Sequence, residues 1–396
     1  MPGLTEEQAK SYITKLLTAM SSAGGSDLFV SKDFPPAMKL QGTMQPMTNQ
    51  KLTGEVARDL AHALMSPTQR EEFEREQECN FAISLPGVAR FRVNVFQQQL
   101  NVGMVIRTIV NDIPDFAKLG LPDTLKEIVM QKRGLVLVVG ATGSGKSTTL
   151  AAMLDYRNRS QAGHIVTVED PVEFVHQSQK SLITHREVGI DTKSWHTALK
   201  NALRQAPDVI LIGEIRDTET MEHAIAFADT GHLCLGTLHS NSANQTIDRI
   251  INFFSEERRA QLLMDLSSNL RAIICQRLIR TPDGKGRRAA IEILINTPIV
   301  ADKLLKGEFH EIKGIMGKSR ELGMQTFDHA LFALFNDGAI SYEEAIKNAD
   351  SANELRLNIK LNSTRETAML SIQKDPEPEA ESEPELKTKS KSDKAA

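Results

Sequence analysis

The feature that most narrows what this chain can fold into is the run Gly140-Ala141-Thr142-Gly143-Ser144-Gly145-Lys146-Ser147. It satisfies the pattern G-x-x-x-x-G-K-[ST] at every fixed position. An apolar stretch over residues 135–139 precedes it, and a segment of helical character over 147–156 follows. Strand, glycine loop and helix in that order call for an α/β architecture, because the loop works where a strand tip passes into a helix N-terminus. The glycines let the backbone curl so that successive N–H groups face phosphate oxygens. The helix start adds its own unpaired N–H groups and the positive end of its dipole. Lys146 supplies a cation to the β- and γ-phosphates, and the Ser147 hydroxyl a ligand for Mg²⁺. With Thr148 these residues are the candidate nucleotide contacts. The chain is expected to bind a nucleoside triphosphate, with ATP and Mg²⁺ as the cofactors.

Composition removes several alternatives. The 396 residues carry a formal net charge of only −4, which argues against nucleic acid as a partner and disfavours a DNA translocase. The three cysteines, Cys79, Cys234 and Cys275, form no CxxC pair, which fits a reducing cytosol and argues against a structural zinc site. No apolar run reaches the roughly 18 residues that cross a bilayer, and a signal-peptide pattern is absent from the N-terminus. A membrane role would therefore be peripheral and would act through partners.

Residues 1–111 read as mixed α/β: a helix over 5–20, then strands over 28–30, 37–40, 80–84 and 90–97. Alternation in the last of these puts Arg90, Arg92 and Asn94 on one face. Residues 112–123 read as a linker, and 124–131 as a helix. From there strands (135–139, 164–168, 209–212, 233–237) alternate with helices, as in a parallel sheet covered by helices. Residues 298–362 look helical, with segments over 300–306, 324–335 and 341–349. The tail, 363–396, turns into Pro, Glu, Lys, Ser and Ala and is expected to be disordered.

A triphosphate site also needs a carboxylate near the metal, a group that orients water and a sensor of the γ-phosphate. The apolar strand 209–212 ends in Gly213-Glu214, at the ligand edge of an α/β sheet, so Glu214 is the expected metal-site carboxylate, acting directly or through water. The stretch Glu169-Asp170-Pro171-Val172-Glu173 places three acids after a strand, and Glu173 is the expected water-activating group. His232 and His239 bracket the strand 233–237. They are too far apart to share one metal, and His239 is the candidate γ-phosphate sensor.

Phosphate loop, acidic box (168–174), an atypical Walker B strand ending in Glu214 and a His box (230–239) follow one another here. That series resembles the secretion ATPase superfamily, which powers type IV pili and type II secretion. Gly25-Ser26-Asp27-Leu28, Gly87-Val88-Ala89-Arg90-Phe91-Arg92-Val93-Asn94 and Gly323-Met324-Gln325-Thr326 are similar to its pilus retraction branch, the PilT/PilU family. Gly-Ala-Thr at 140–142, Arg204-Gln205-Ala206-Pro207-Asp208, and the segments 281–288 and 350–357 resemble its PilU side. The resemblance implies a PAS-like α+β domain over 1–111, a RecA-like core over 124–297, a C-terminal helical region and a tail. It implies a homo-oligomer, a hexameric ring, with ATP between the first two domains and N-terminal arginines completing the site. Arg90, Arg92 and Arg107 are the candidates. It also implies a PilT-like paralogue and an inner-membrane platform protein as partners, and a cytoplasmic location at the pilus machinery. At Pro298-Ile299-Val300-Ala301 the chain departs from the Ala-Ile-Arg segment of PilT, which implies reliance on the paralogue for retraction. An assembly or secretion motor is disfavoured by the short N-terminal region and the missing cysteines. An accessory coupling subunit with secondary ATPase activity stays open.

Overall fold

The computed structural model describes residues 3–40, 42–109 and 113–365. Helix α1 (Glu6–Ser22) starts at a capping box in which Thr5 and Gln8 satisfy each other's backbone N–H groups. It buries Ile13, Leu17 and Met20, spaced so that they share one face. Strands β1 (Asp27–Val30), β2 (Ala37–Leu40) and β3 (Thr43–Pro46) follow, then α2 (Gly54–His62) and α3 (Pro67–Glu76). Strands β4 (Glu78–Leu85), β5 (Ala89–Gln98) and β6 (Asn101–Ile109) complete an antiparallel sheet of order β3-β2-β1-β6-β5-β4. On β5 the expected alternation holds: Phe91, Val93 and Val95 are buried, while Arg90, Arg92 and Asn94 face away. β3, α2 and α3 are additional to the expected elements, and α2 buries Val56, Ala57, Leu60 and Ala61 on one face at helical spacing.

Among the segments between the two sheets, residues 113–123 are more than a spacer. Phe116 and Leu121 are buried and join the core of the second sheet. Helix α4 (Thr124–Val129) leads into β7 (Gly134–Val139), α5 (Lys146–Ser160), β8 (Gly163–Glu169) and β9 (Ser181–Glu187). Next come α6 (Trp195–Ala202), β10 (Val209–Ile212), α7 (Thr218–Asp229), β11 (Leu233–Leu238), α8 (Ala243–Ile251) and α9 (Arg259–Asn269). Strands β12 (Leu270–Arg280) and β13 (Arg287–Ile295) close a seven-stranded sheet of order β13-β12-β7-β11-β10-β8-β9. The neighbours from β12 to β9 pair in parallel. Every residue of β7, β10 and β11 is buried, because parallel strands covered on both faces need apolar side chains on both. The sheet and its helices fit a RecA-like ATPase core. β9, β12 and β13 were not expected.

The described chain divides into two compact units: one up to Leu278 together with Arg288–Thr326, the other comprising Ile279–Arg287 and the chain from Phe327 on. The first includes α10 (Pro298–Lys306) and α11 (Ile312–Lys318). The second holds α12 (Phe327–Asn336), α13 (Tyr342–Lys347) and α14 (Ala352–Asn362). The disorder expected over 363–396 does not begin at Ser363, because the Thr364 N–H donates to Asn336 Oδ1 (3.0 Å) and Arg365 Nη1 to the Phe335 carbonyl (2.7 Å); the tail from residue 366 on lies outside the described residues. Among the described residues no helix is long and apolar enough to cross a membrane.

Candidate active site

Parallel register brings the expected site residues into a row. Leu238 of β11 lies beside Val139 of β7, Ile212 of β10 beside Gly236 of β11, and Val168 of β8 beside Ile212. The residues that follow these strand ends therefore leave the sheet along one edge: Gly140, His239, Gly213-Glu214 and the acidic turn. Sequence separations of tens of residues collapse to the strand spacing of about 5 Å.

The phosphate loop has the conformation its glycines permit. Gly140, Gly143 and Gly145 have φ of 155°, 76° and 88°. A Cβ on Gly140 would also stand 2.5 Å from the Gln276 carbonyl oxygen. Ala141, Thr142 and Gly143 are exposed, and no side chain caps α5, leaving its first N–H groups for a ligand. Ser144 Oγ is buried without a hydrogen-bond partner. These observations fit a phosphate cradle.

Lys146 Nζ donates to the carbonyl oxygens of Gly140 (2.9 Å) and Ala141 (3.0 Å). Burial pulls its pKa below the usual lysine range, and the nearby Glu214 and Glu173 charges oppose that shift. Lys146, Glu214 and Glu173 thus belong to one electrostatic site. Glu214 Oε1 lies 3.1 Å from His239 Nε2, so two residues chosen separately from the sequence touch. Its other oxygen accepts from Arg216, at 2.6 Å from Nη2 and 2.7 Å from Nε. Both carboxylate oxygens therefore already face nitrogen atoms, and direct metal ligation would require Arg216 or His239 to let go. The water-mediated alternative leaves both contacts intact. Glu173 is exposed, as access to water requires.

The acidic turn is held from behind. A cavity of about 30 Å³ between Ser147, Glu169, Phe174, His176, Gly213 and Thr237 has room for a water or two. Gly213 makes that contact feasible, since a Cβ there would come within 3.1 Å of the Glu169 Cα. The backbone N–H of His176 donates to His185 Nε2 (3.0 Å), which leaves the His185 proton on Nδ1 to donate to Thr167 Oγ1 (2.9 Å). The two rings stack at 5.7 Å.

His176 is driven neutral by burial, with the His185 ring adding to the effect, and its pKa falls to about 4 from 6.5. A base whose folded pKa is depressed contributes stability that is complete above the unfolded value and is lost as pH falls through the folded one. Stability should therefore drop between about pH 6.5 and pH 4, by roughly 3 kcal/mol from this group. Urea midpoints measured across that window should flatten in a His176→Phe protein. An unchanged pH slope would show that His176 does not control it.

The three candidate arginines separate. Arg90 pairs with Glu187 at 2.6 Å, both largely buried, and the same Glu187 oxygen accepts from the Val172 N–H (3.2 Å) in the acidic turn. Burial raises the Glu187 pKa and Arg90 opposes the rise. Arg107 pairs with Asp27 at 2.8 Å. Arg92 is exposed and lies opposite Arg107 in the β5–β6 register.

Several members of this site lie outside the motifs legible in the sequence. Gln276 on β12 accepts from Thr149 Oγ1 (2.7 Å) and braces the phosphate loop from below. Its signal was a glutamine within the apolar run Ile273-Ile274-Cys275-Gln276. Arg216 stood two residues beyond Glu214. Glu187 had no local signal, because only the β8–β9 pairing sets it beside Glu169.

The model of the family described as "Type II/IV secretion system protein" matches residues 5–319. The chain belongs to that family. It is 56% identical over 357 residues to the type IV pilus ATPase PilU of Pseudomonas aeruginosa, a match covering 90% of this chain and 94% of PilU. It is 43% identical over 337 residues to that organism's type IV pilus retractation ATPase PilT, covering 85% of this chain and 98% of PilT. A crystal structure of the pilus retraction motor PilT with bound ADP superposes with a TM-score of 0.81 at 39% identity. That match covers 86% of this chain and 98% of the PilT chain. The chain is thus a secretion ATPase of the PilT/PilU branch, more similar to this PilU than to this PilT. ATP hydrolysis is the activity that the family and the phosphate loop have in common.

Proposed function

We propose that this chain hydrolyses ATP as one subunit of a hexameric ring that retracts type IV pili and drives twitching motility, working with a PilT-like ATPase. The observation that carries the reading is the convergence of Lys146, Glu214, His239 and Glu173 at one sheet edge in a chain of the retraction branch. In this mechanism residues 140–148 wrap the triphosphate, and Lys146 leaves its two carbonyl partners to meet the phosphate charge. Mg²⁺, held by Ser147 and by Glu214 directly or through water, would neutralise charge on the phosphates. Glu173 takes the proton of the attacking water, and His239 links the γ-phosphate to Glu214. Arg92 or Arg107, offered from the N-terminal sheet, would stabilise charge on the transferring phosphoryl group. Arg90 has a competing duty, because removing it would strand the buried Glu187 carboxylate.

The same reading carries the domain division: a PAS-like domain over 1–111, a connection whose Phe116 and Leu121 pack into the second core, and the ATPase domain over 124–297. A helical region over 298–362 completes it. It also carries a cytoplasmic location, peripheral at the inner membrane through a pilus platform protein. Ile299, in the segment where PilT has Ala-Ile-Arg, is 54% exposed on α10 and so is presented to partners. Hydrolysis and coupling to the pilus are then separable surfaces of one chain. Pilus retraction measured in cells with this chain alone, the paralogue alone, or both is the test. Retraction force should rise with this chain only when a PilT-like ATPase is present, even an ATPase-dead one. Robust retraction by this chain as the sole retraction ATPase would overturn the partner dependence.

A further inference from the structure

Away from the phosphate site, three metal-binding side chains meet where α6 approaches α7. His196 lies in the first turn of α6, whose N-cap Ser194 accepts from the Thr197 N–H. Glu219 and His223 sit on α7, one helical turn apart, so both project from the same face. Asp217 caps that helix through a reciprocal pair with Thr220, which fixes the turn carrying Glu219. His196 Nδ1 contacts Glu219 Oε1, and the His196 and His223 rings meet edge-on at 6.2 Å. One ligand atom from each of the three residues lies within 4.8 Å of the other two. Ligands at about 2.0–2.2 Å from a common tetrahedral ion stand roughly 3.3–3.6 Å apart, so small side-chain rotations close the set.

We propose that His196, Glu219 and His223 form a binding site for one divalent transition-metal ion of the zinc class, with water as the fourth ligand. Two imidazoles and one carboxylate suit Zn²⁺ rather than Mg²⁺, which prefers oxygen ligands and retains its waters. His223 packs against Phe227, the ring centroids 5.9 Å apart, which restrains its imidazole on the α7 face that also carries Glu219. The three cysteines are all buried, so thiolates offer no competing surface site. The site would tie together the helices on either side of β10, the strand whose tip carries Glu214. Its occupation would brace that strand without entering the catalytic row.

Zn²⁺ binding to the tag-free full chain, measured by calorimetry in excess Mg²⁺, tests the proposal. One Zn²⁺ per chain is expected, with a higher melting temperature. Co²⁺ in its place should give the visible absorption bands of a tetrahedral N/O site. The His196→Ala/His223→Ala protein should lose the stoichiometric site. Glu219→Gln, which keeps both imidazoles and the helix start, should bind at least about tenfold more weakly. Absence of stoichiometric binding in the wild-type chain, or affinity unchanged in both variants, would overturn it.

Discussion

Replacing Lys146 by alanine is expected to lower ATP turnover by at least about 100- to 1,000-fold, the range for removing a preorganised group that stabilises transition-state charge. The melting temperature should stay near the wild-type value. That combination follows from the surroundings of Lys146. Lys146 Nζ is buried against two carbonyl oxygens, and burial depresses its pKa, so its charge adds little to the stability of the fold. In the proposed mechanism its charge would act on the phosphate oxygens of the bound nucleotide. Arginine should not restore turnover, because a planar guanidinium cannot occupy the place of a compact ammonium between Gly140 and Ala141. Steady-state hydrolysis, with circular dichroism as the folding control, checks the expectation. Wild-type turnover by folded Lys146→Ala would remove the assignment of the site.

The second large effect belongs to the acidic turn. Glu173→Gln should cut hydrolysis by about 100- to 10,000-fold, the usual contribution of a positioned general base, while ATP binding is retained. Glu173 is exposed, so amide replacement should cost little stability. Glu169 is the informative comparison. It lines the small cavity beside Ser147, and its carboxylate lies 3.7 Å from His185. A change there should disturb the packing of the turn as well as the chemistry, and so should shift melting temperature. Single-turnover hydrolysis and nucleotide binding on both variants separate the two roles. Full activity in Glu173→Gln with loss in Glu169→Gln would transfer the base to Glu169.

Parts of this molecule were legible because their causes are local. The phosphate loop is a backbone conformation, and glycines at the positive-φ positions with a following helix start suffice to specify it. β7, β10 and β11 were readable as apolar runs because strands buried on both faces need them. β9 was not: Ser181 to Glu187 is mixed in polarity, being an edge strand with one neighbour. β13 hides in the same way behind a buried acid. Glu292 accepts from the Ala243 N–H at 2.8 Å and so serves the start of α8, a duty assigned by a residue far away in the chain.

By itself, then, the sequence determined the glycine-loop conformation at residues 140–147, pointed to Glu173 and Glu214 as candidate site carboxylates, and marked the chain as one of the retraction type. These follow from residue type and short-range spacing, which act through the local backbone. Only the tertiary structure decided that Glu214 is clasped by both His239 and Arg216, that Gln276 props the loop, and that Arg90 is tied to Glu187. Each of those contacts depends on which strands become neighbours. Strand order is set by burying the whole sheet's two faces at once, a sum over the chain that no short segment contains.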